Sequence, residues 1–240
     1  MLVSKLEYPN LKIPEELNYL DDLASTAATR ISDSIESKDP LYQMNSLSEY
    51  LFDELGFKGN HEDYDNPLNS YLSDVMKRRL GIPITLAVVY SEVGRKVGIP
   101  ILNIGMPGHF LARHEEEPEL FVDVFNCGVL LSVEECKKRF VKVTHGSLDW
   151  DPNYLNPIDN KQVLSRILRN LKISYIRNQN NYKALATIEL LLLIEPNAAE
   201  DIRDRGLLHF YTGLYPEALN DLRQYTESVT AGIDNLAISE

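Results

Sequence analysis

Two side chains of this sequence have types and spacing suited to acid–base chemistry: His109, in Pro107-Gly108-His109-Phe110-Leu111, and Asp123, in Phe121-Val122-Asp123-Val124-Phe125. A carboxylate that accepts an imidazole N–H fixes the ring tautomer and raises the basicity of the other nitrogen. A hairpin turning symmetrically at Glu115–Glu117 sets His109 directly opposite Asp123. Their Cβ atoms would then stand roughly 4.5–5.5 Å apart, with the Nδ1–H of the imidazole given to the carboxylate. Leu111 and Phe121 fall on the same face and offer the pair an apolar wall.

Such a pair needs something to act on. The start of an apolar helix opened by Gly81-Ile82-Pro83 is the natural place, because free N–H groups and the helix dipole favour a thiolate or an oxyanion there. Pro83 and Ile84 carry no nucleophilic atom. Thr85, in the first turn, is the nearest hydroxyl, although the reading favoured for it is a side chain satisfying a backbone N–H of the helix start, because a nucleophile must also meet the base within about 3 Å. Cys127, in the Phe125-Asn126-Cys127-Gly128 turn, is the second candidate, and its alternative is an ordinary small turn residue. Cys136 falls mid-helix and reads as core.

Arg113 and the Arg78–Arg79 pair offer guanidinium groups for a carboxylate or phosphate near the histidine, or for the acidic loop Glu115–Glu119. Ser70 and Tyr71, at the head of a third helix, are further binding candidates. His61, His145 and His209 stand in unrelated contexts and suggest no role. The sequence has no Gly-rich phosphate loop and no zinc-ligand spacing, so no metal or cofactor is expected.

The positioning elements follow from periodicity. Leu17, Leu20, Leu23, Ala27, Ile31 and Ile35 recur at three- and four-residue steps and predict an amphipathic helix over 15–36. A second helix is expected over 41–55, and a third runs from an Asn69 or Ser70 cap through Leu80, closed by Gly81. The helix 82–97 is apolar on more than one face, which predicts burial all round. Short strands over 101–106, 109–114, 120–125 and 129–131 follow, then a helix from Ser132 with Glu135 completing a capping box.

From 160 to 228 the pattern is helical throughout. Ala184 and Ala218 are one 34-residue period apart, the tetratricopeptide spacing. Leu168, Leu171, Tyr175, Ile188 and Pro196 fall on packing positions of a first copy; Ile202, Gly206 and Leu222 do so in a second. A plain four-helix tail is the other reading of the same pattern.

The composition narrows the partners. A formal charge of −12 over 240 residues disfavours nucleic acids and anionic membranes. No run approaches the roughly 18 apolar residues of a membrane span. Two cysteines make no disulfide framework, so a cytoplasmic protein with reduced thiols is expected.

Taken together, Asn69-Ser70-Tyr71-Leu72, Arg78-Arg79, Gly81-Ile82-Pro83-Ile84, Pro107-Gly108-His109-Phe110-Leu111 and Asp123 with Phe125 and Gly128 resemble the bacterial SirB-type family. That family is a branch of the transglutaminase-like superfamily with a C-terminal tetratricopeptide-like segment. The resemblance implies an α+β papain/transglutaminase-like core with a small antiparallel sheet and N-terminal helices over residues 1–150, then an all-α tetratricopeptide-like segment over 160–230. It also implies that the catalytic Cys position of such cores falls on Pro83, while His109 and Asp123 match the retained pair. Val124 and Cys127 depart from the branch's usual residues. Three functions follow as expectations. The first is a non-catalytic binding or regulatory module with a protein or peptide partner. The second is a hydrolase or acyltransferase using Thr85, Cys127 or an activated water, and the third is an interaction scaffold acting through the helical repeats.

Overall fold

Helix α1 (Ile13–Ser32) begins the main body of the chain in a computed structural model that describes residues 1–32 and 38–238. Its buried stripe is Leu20, Leu23, Ala24, Ala27 and Ile31; Leu17 is exposed, and Ile35 lies outside the described residues. Helix α2 (Pro40–Ser48) is capped by the Asp39 carboxylate, which accepts from Tyr42 N–H, and continues as a π-helical turn over Glu49–Glu54. The expected single helix over 41–55 thus widens halfway.

The third helix departs from its predicted ends. A 3-10 turn, Pro67–Ser70, comes first, and α3 (Leu72–Arg78) starts without a side-chain cap. It is closed by Arg79 in the left-handed region (φ 58°), not by Gly81. Gly81 belongs to a two-residue strand, β2 (Leu80–Gly81), parallel to β1 (Lys58–Gly59).

Helix α4 (Pro83–Lys96) is buried on nearly every side, as its apolar pattern predicts. Ile84, Leu86, Val89 and Val93 are essentially inaccessible. Each such burial contributes at most about 1.5–3 kcal/mol. A Cβ on Gly94 would come 2.8 Å from Ile101 Cγ1, so a mid-helix glycine lets the next strand approach. That strand, β3 (Ile101–Ile104), opens a four-stranded antiparallel meander with β4 (Leu111–His114), β5 (Leu120–Asp123) and β6 (Val129–Ser132), in the order β3-β4-β5-β6. The first three are shorter than expected, and His109 precedes β4 in place of lying within it.

Helix α5 (Val133–Thr144) covers the sheet. Ser132 caps it through Glu135 N–H, and the Glu135 carboxylate returns to Ser132 N–H at 2.8 Å. Cys136 and Phe140 of α5 pack with Ile104, Leu111, Phe121 and Leu131. Burial, reinforced by the charges of Asp123 and Glu135, pushes the Cys136 thiol up to about 12, so this cysteine is inert core.

Contacts divide the chain into Met1–Leu164 and Ser165–Glu240, a boundary inside α6 (Asn160–Arg177). The second unit continues with α7 (Asn181–Ile194), α8 (Ala199–Tyr211) and α9 (Tyr215–Ile238). Ala184 and Ala218 are both buried, and a Cβ on Gly206 would stand 3.0 Å from Asp221 Cβ and Leu222 Cγ. Small residues at the repeat positions therefore bring the helices close. Buried ion pairs join them: Lys172 reaches Asp201 and Asp204, both at 2.7 Å.

Candidate functional site

The turn Pro107–Gly108, with Gly108 at φ 73°, delivers His109 to the edge of the sheet, where its N–H bonds Met106 O at 3.1 Å. Across the hairpin, Ala112 pairs with Val122. The register is two residues away from the symmetric turn expected, which keeps the face but makes the approach diagonal. His109 reaches Asp123 with Nε2, at 2.9 Å from Oδ1, where Nδ1 was expected. With Nε2–H given to the carboxylate, the basic lone pair of the neutral ring is on Nδ1.

Asp123 is wholly buried and gathers donors from three directions. Asn126 supplies its backbone N–H to Oδ1 (3.3 Å) and its side-chain amide to Oδ2 (2.8 Å), and Arg139 of α5 stands 3.3 Å from Oδ2. Burial alone would raise the Asp123 carboxyl. The hydrogen bond and charge of His109, with Asn126 and Arg139, outweigh it and hold the group below its ordinary value. The carboxylate therefore stays ionised and orients the imidazole.

His109 opens on a cleft of about 330 Å3. Pro83, at the start of α4, forms part of its wall, so the helix start and the histidine do line the same cleft. Phe125, Asn126, Arg139 and Lys142 also line it, with His61 and Tyr64 from the loop after β1. Phe125 holds the aromatic side together: its ring centroid lies 4.3 Å from that of His61, 5.9 Å from Tyr64 and 6.2 Å from His109. Gly59 makes room for it, because a Cβ there would stand 2.5 Å from the Phe125 ring. A larger depression of about 660 Å3, along Ser91–Arg95 and Gly98–Asn103, contains no His–Asp pair.

The other candidates lie elsewhere. Thr85 is fully buried; its hydroxyl donates to Asn69 O (2.8 Å) and accepts from Ile82 N–H (3.2 Å), work that closes the helix start. Cys127 is exposed in a left-handed turn (φ 56°) and is not among the cleft-lining residues. Ser70 and Tyr71 are buried away from the lining, and Tyr71 meets Tyr8 edge-on at 6.4 Å. Arg79 donates to Leu55 O at 2.7 Å, and the Arg113 guanidinium lies over the Phe121 ring at 5.9 Å. The four binding candidates, Ser70, Tyr71, Arg79 and Arg113, therefore do not converge on His109.

In their place the cleft uses His61, which its sequence context did not single out, and Arg139 and Lys142, which read as an ordinary amphipathic helix. The one available signal was spacing: Arg139 and Lys142 are three apart, on one face of α5. Asn69, expected as a helix cap, is instead a buried hub. Its side chain donates to Asp63 O (2.7 Å) and Tyr64 O (3.1 Å) and accepts from Asn60, tying the His61–Tyr64 loop to the start of α4. No group of three His, Cys, Asp or Glu suited to a metal ion occurs among the described residues. None of the described helices is long and apolar enough to cross a membrane.

Comparison with known proteins agrees with this architecture. Residues 15–169 match the Transglutaminase-like superfamily, and residues 171–240 match the Tetratricopeptide repeat. A "UPF0162 protein" of Xylella fastidiosa (strain Temecula1) is 38% identical over 233 residues, covering 95% of this chain and 81% of that protein. Its counterpart in Vibrio cholerae is 26% identical over 195 residues, 80% of this chain and 72% of that protein. Mouse F-box only protein 21 is 30% identical over 186 residues, 72% of this chain but 29% of that protein. No solved structure matches.

Proposed function

The chain belongs to the transglutaminase-like superfamily, with tetratricopeptide repeats after the core, and from that premise we propose that its cleft binds a peptide or acyl group without attacking it. A core of this kind joined to such repeats fits a binding or regulatory role. The observation that carries the non-catalytic reading is that Pro83 and His109 line the same cleft. The base and its orienting carboxylate remain, and the atom they would activate is a ring carbon. Thr85 spends its hydroxyl on Asn69 and Ile82, which argues against a substitute nucleophile. The F-box only protein 21 relatives, which contain a similar core as less than a third of their length, support a core reused as a module within larger chains.

Restoring the lost group tests this. In Pro83→Cys, iodoacetamide should alkylate the installed thiol faster than Cys127, and His109→Ala in that background should slow it. Wild-type protein should release no product from peptide amides or from p-nitrophenyl acetate. Turnover by the wild type that His109→Ala abolishes would overturn the reading.

For the helical unit we propose recruitment of a protein partner in the cytoplasm. Tyr182, Phe210, Tyr211 and Tyr215 are exposed there, and aromatic side chains on a repeat surface favour protein contacts. Full-length protein carrying Tyr211→Ser and Tyr215→Ser should lose captured partners that the wild type retains.

A further inference from the structure

The charge of the cleft runs against that of the chain. Carboxylates outnumber lysines and arginines 36 to 24 overall, yet the described lining of the His109 cleft holds Arg139 and Lys142 and no carboxylate. Asp123 lies behind the wall, its negative charge shared between His109 Nε2 and Arg139. Lys142 makes no ion pair among the described residues and adds a second positive charge to the lining. The rest of the lining mixes polar groups, His61, His109 and Asn126, with the apolar surface of Phe125, Tyr64, Pro83 and Val143.

We propose that this cleft binds the carboxylate of an acidic peptide, with the carboxylate against Arg139 and Lys142 and its aliphatic stem against Phe125, Tyr64 and Pro83. The inference rests on the binding reading above and narrows it to an anionic group. A guanidinium and an ammonium three residues apart on α5 share one helix face and are the donor types that bind carboxylates. At about 330 Å3 the space is near the lower end of small-molecule sites, the scale of one or two residues in place of a folded surface. A bare inorganic anion would leave the aromatic wall uncovered, whereas a side chain with methylene groups covers it. The net charge of the chain opposes approach at long range, but beyond about 8 Å at physiological salt that field is screened, and the two local cations dominate inside it. Lys142 also stands in the last turn of α5, where a cation complements the helix dipole. A role limited to that complement predicts no effect on ligand binding.

Full-length protein is titrated with four probes: Ac-Ala-Glu-Ala-NH2, its neutral analogue Ac-Ala-Gln-Ala-NH2, Ac-Ala-Ala-Ala-OH and inorganic phosphate. Binding is read by calorimetry and by the ring resonances of His61 and His109. The glutamate peptide should shift both rings and weaken as sodium chloride is raised. Its affinity should fall about threefold in Lys142→Met and about tenfold in Lys142→Glu, exposed changes that leave the fold intact. Tighter binding of Ac-Ala-Ala-Ala-OH would equally support the inference and assign the carboxylate to a chain terminus. Equal binding of the glutamine peptide, equal binding of phosphate, indifference to Lys142→Glu, or no shift with any probe would overturn it. Equal glutamine binding would leave the non-catalytic binding reading standing. Cleavage or transfer of a bound peptide would instead sink that reading while sparing the carboxylate preference.

Discussion

Each unit of this protein holds a histidine against a buried aspartate, and the two pairs stand in different surroundings. His109 Nε2 lies 2.9 Å from Asp123, and His209 Nδ1 lies 3.1 Å from Asp221. Both carboxylates also meet an arginine. In the helical unit Arg205 grips Asp221 with two nitrogens, at 2.9 and 2.7 Å, and reaches Glu189 as well, so the carboxylate is consumed in pinning α8 to α9. In the first unit Arg139 makes a single longer approach, and the imidazole opens on a cleft beside a helix start. A His–Asp pair is therefore not a site by composition. What marks the first pair is that its ring also lines a cleft, shared with the start of α4.

The largest expected break in that comparison is Asp221→Ala. It strands Arg205 and His209 partly buried, and loss of one partner of such a network should cost about 3 kcal/mol in urea unfolding. The His109 ring resonances should not move. Asp123→Asn should cost less, about 2 kcal/mol at pH 7, because the amide keeps the shape but loses the charge that His109 and Arg139 complement. The folded carboxyl lies below its unfolded value, so its stabilisation is complete above about pH 4 and is lost as pH falls through the folded value. The gap between wild type and Asp123→Asn should therefore close in acid; a gap that widens below pH 4 would contradict the ionised assignment.

Thr85→Val sharpens the distinction between the cleft and its support. Loss of the hydroxyl bonds to Asn69 and Ile82 should cost about 1.5 kcal/mol, while peptide titration of His109 stays near wild type and Thr85→Ser recovers the stability. A collapse of binding with stability intact would return Thr85 to the site. Least of all in energy, native protein should react with a thiol reagent at Cys127 alone, and Cys136 should follow only on unfolding.

Much of this was legible before the fold was known. Ser132 and Glu135 announce a capping box, Ala184 and Ala218 a 34-residue repeat, and the pairing of His109 with Asp123 was expected, although His109 stands just before β4 and not within it. The register was less legible. A symmetric turn at Glu115–Glu117 is the simplest geometry, but Glu115 N–H bonds Pro100 O and Glu117 N–H bonds His114 O, so the loop closes unevenly and shifts the pairing by two residues. Sequence spacing also placed Gly81 as a helix stop, whereas Arg79 takes the left-handed cap and frees Leu80 and Gly81 to pair with β1.

The sequence by itself determined the local periods and the caps, because each depends on residues within a few positions of one another, and the helical repeat, because its period recurs along the chain. Only the tertiary structure decided which side chains surround His109. His61 and Tyr64 arrive on a loop held by Asn69, Phe125 fits where Gly59 has no side chain, and Arg139 and Lys142 come from a helix laid over the sheet. Those neighbours are separated along the chain by tens of residues. No local pattern encodes such an approach; it is set by how the sheet and helices pack.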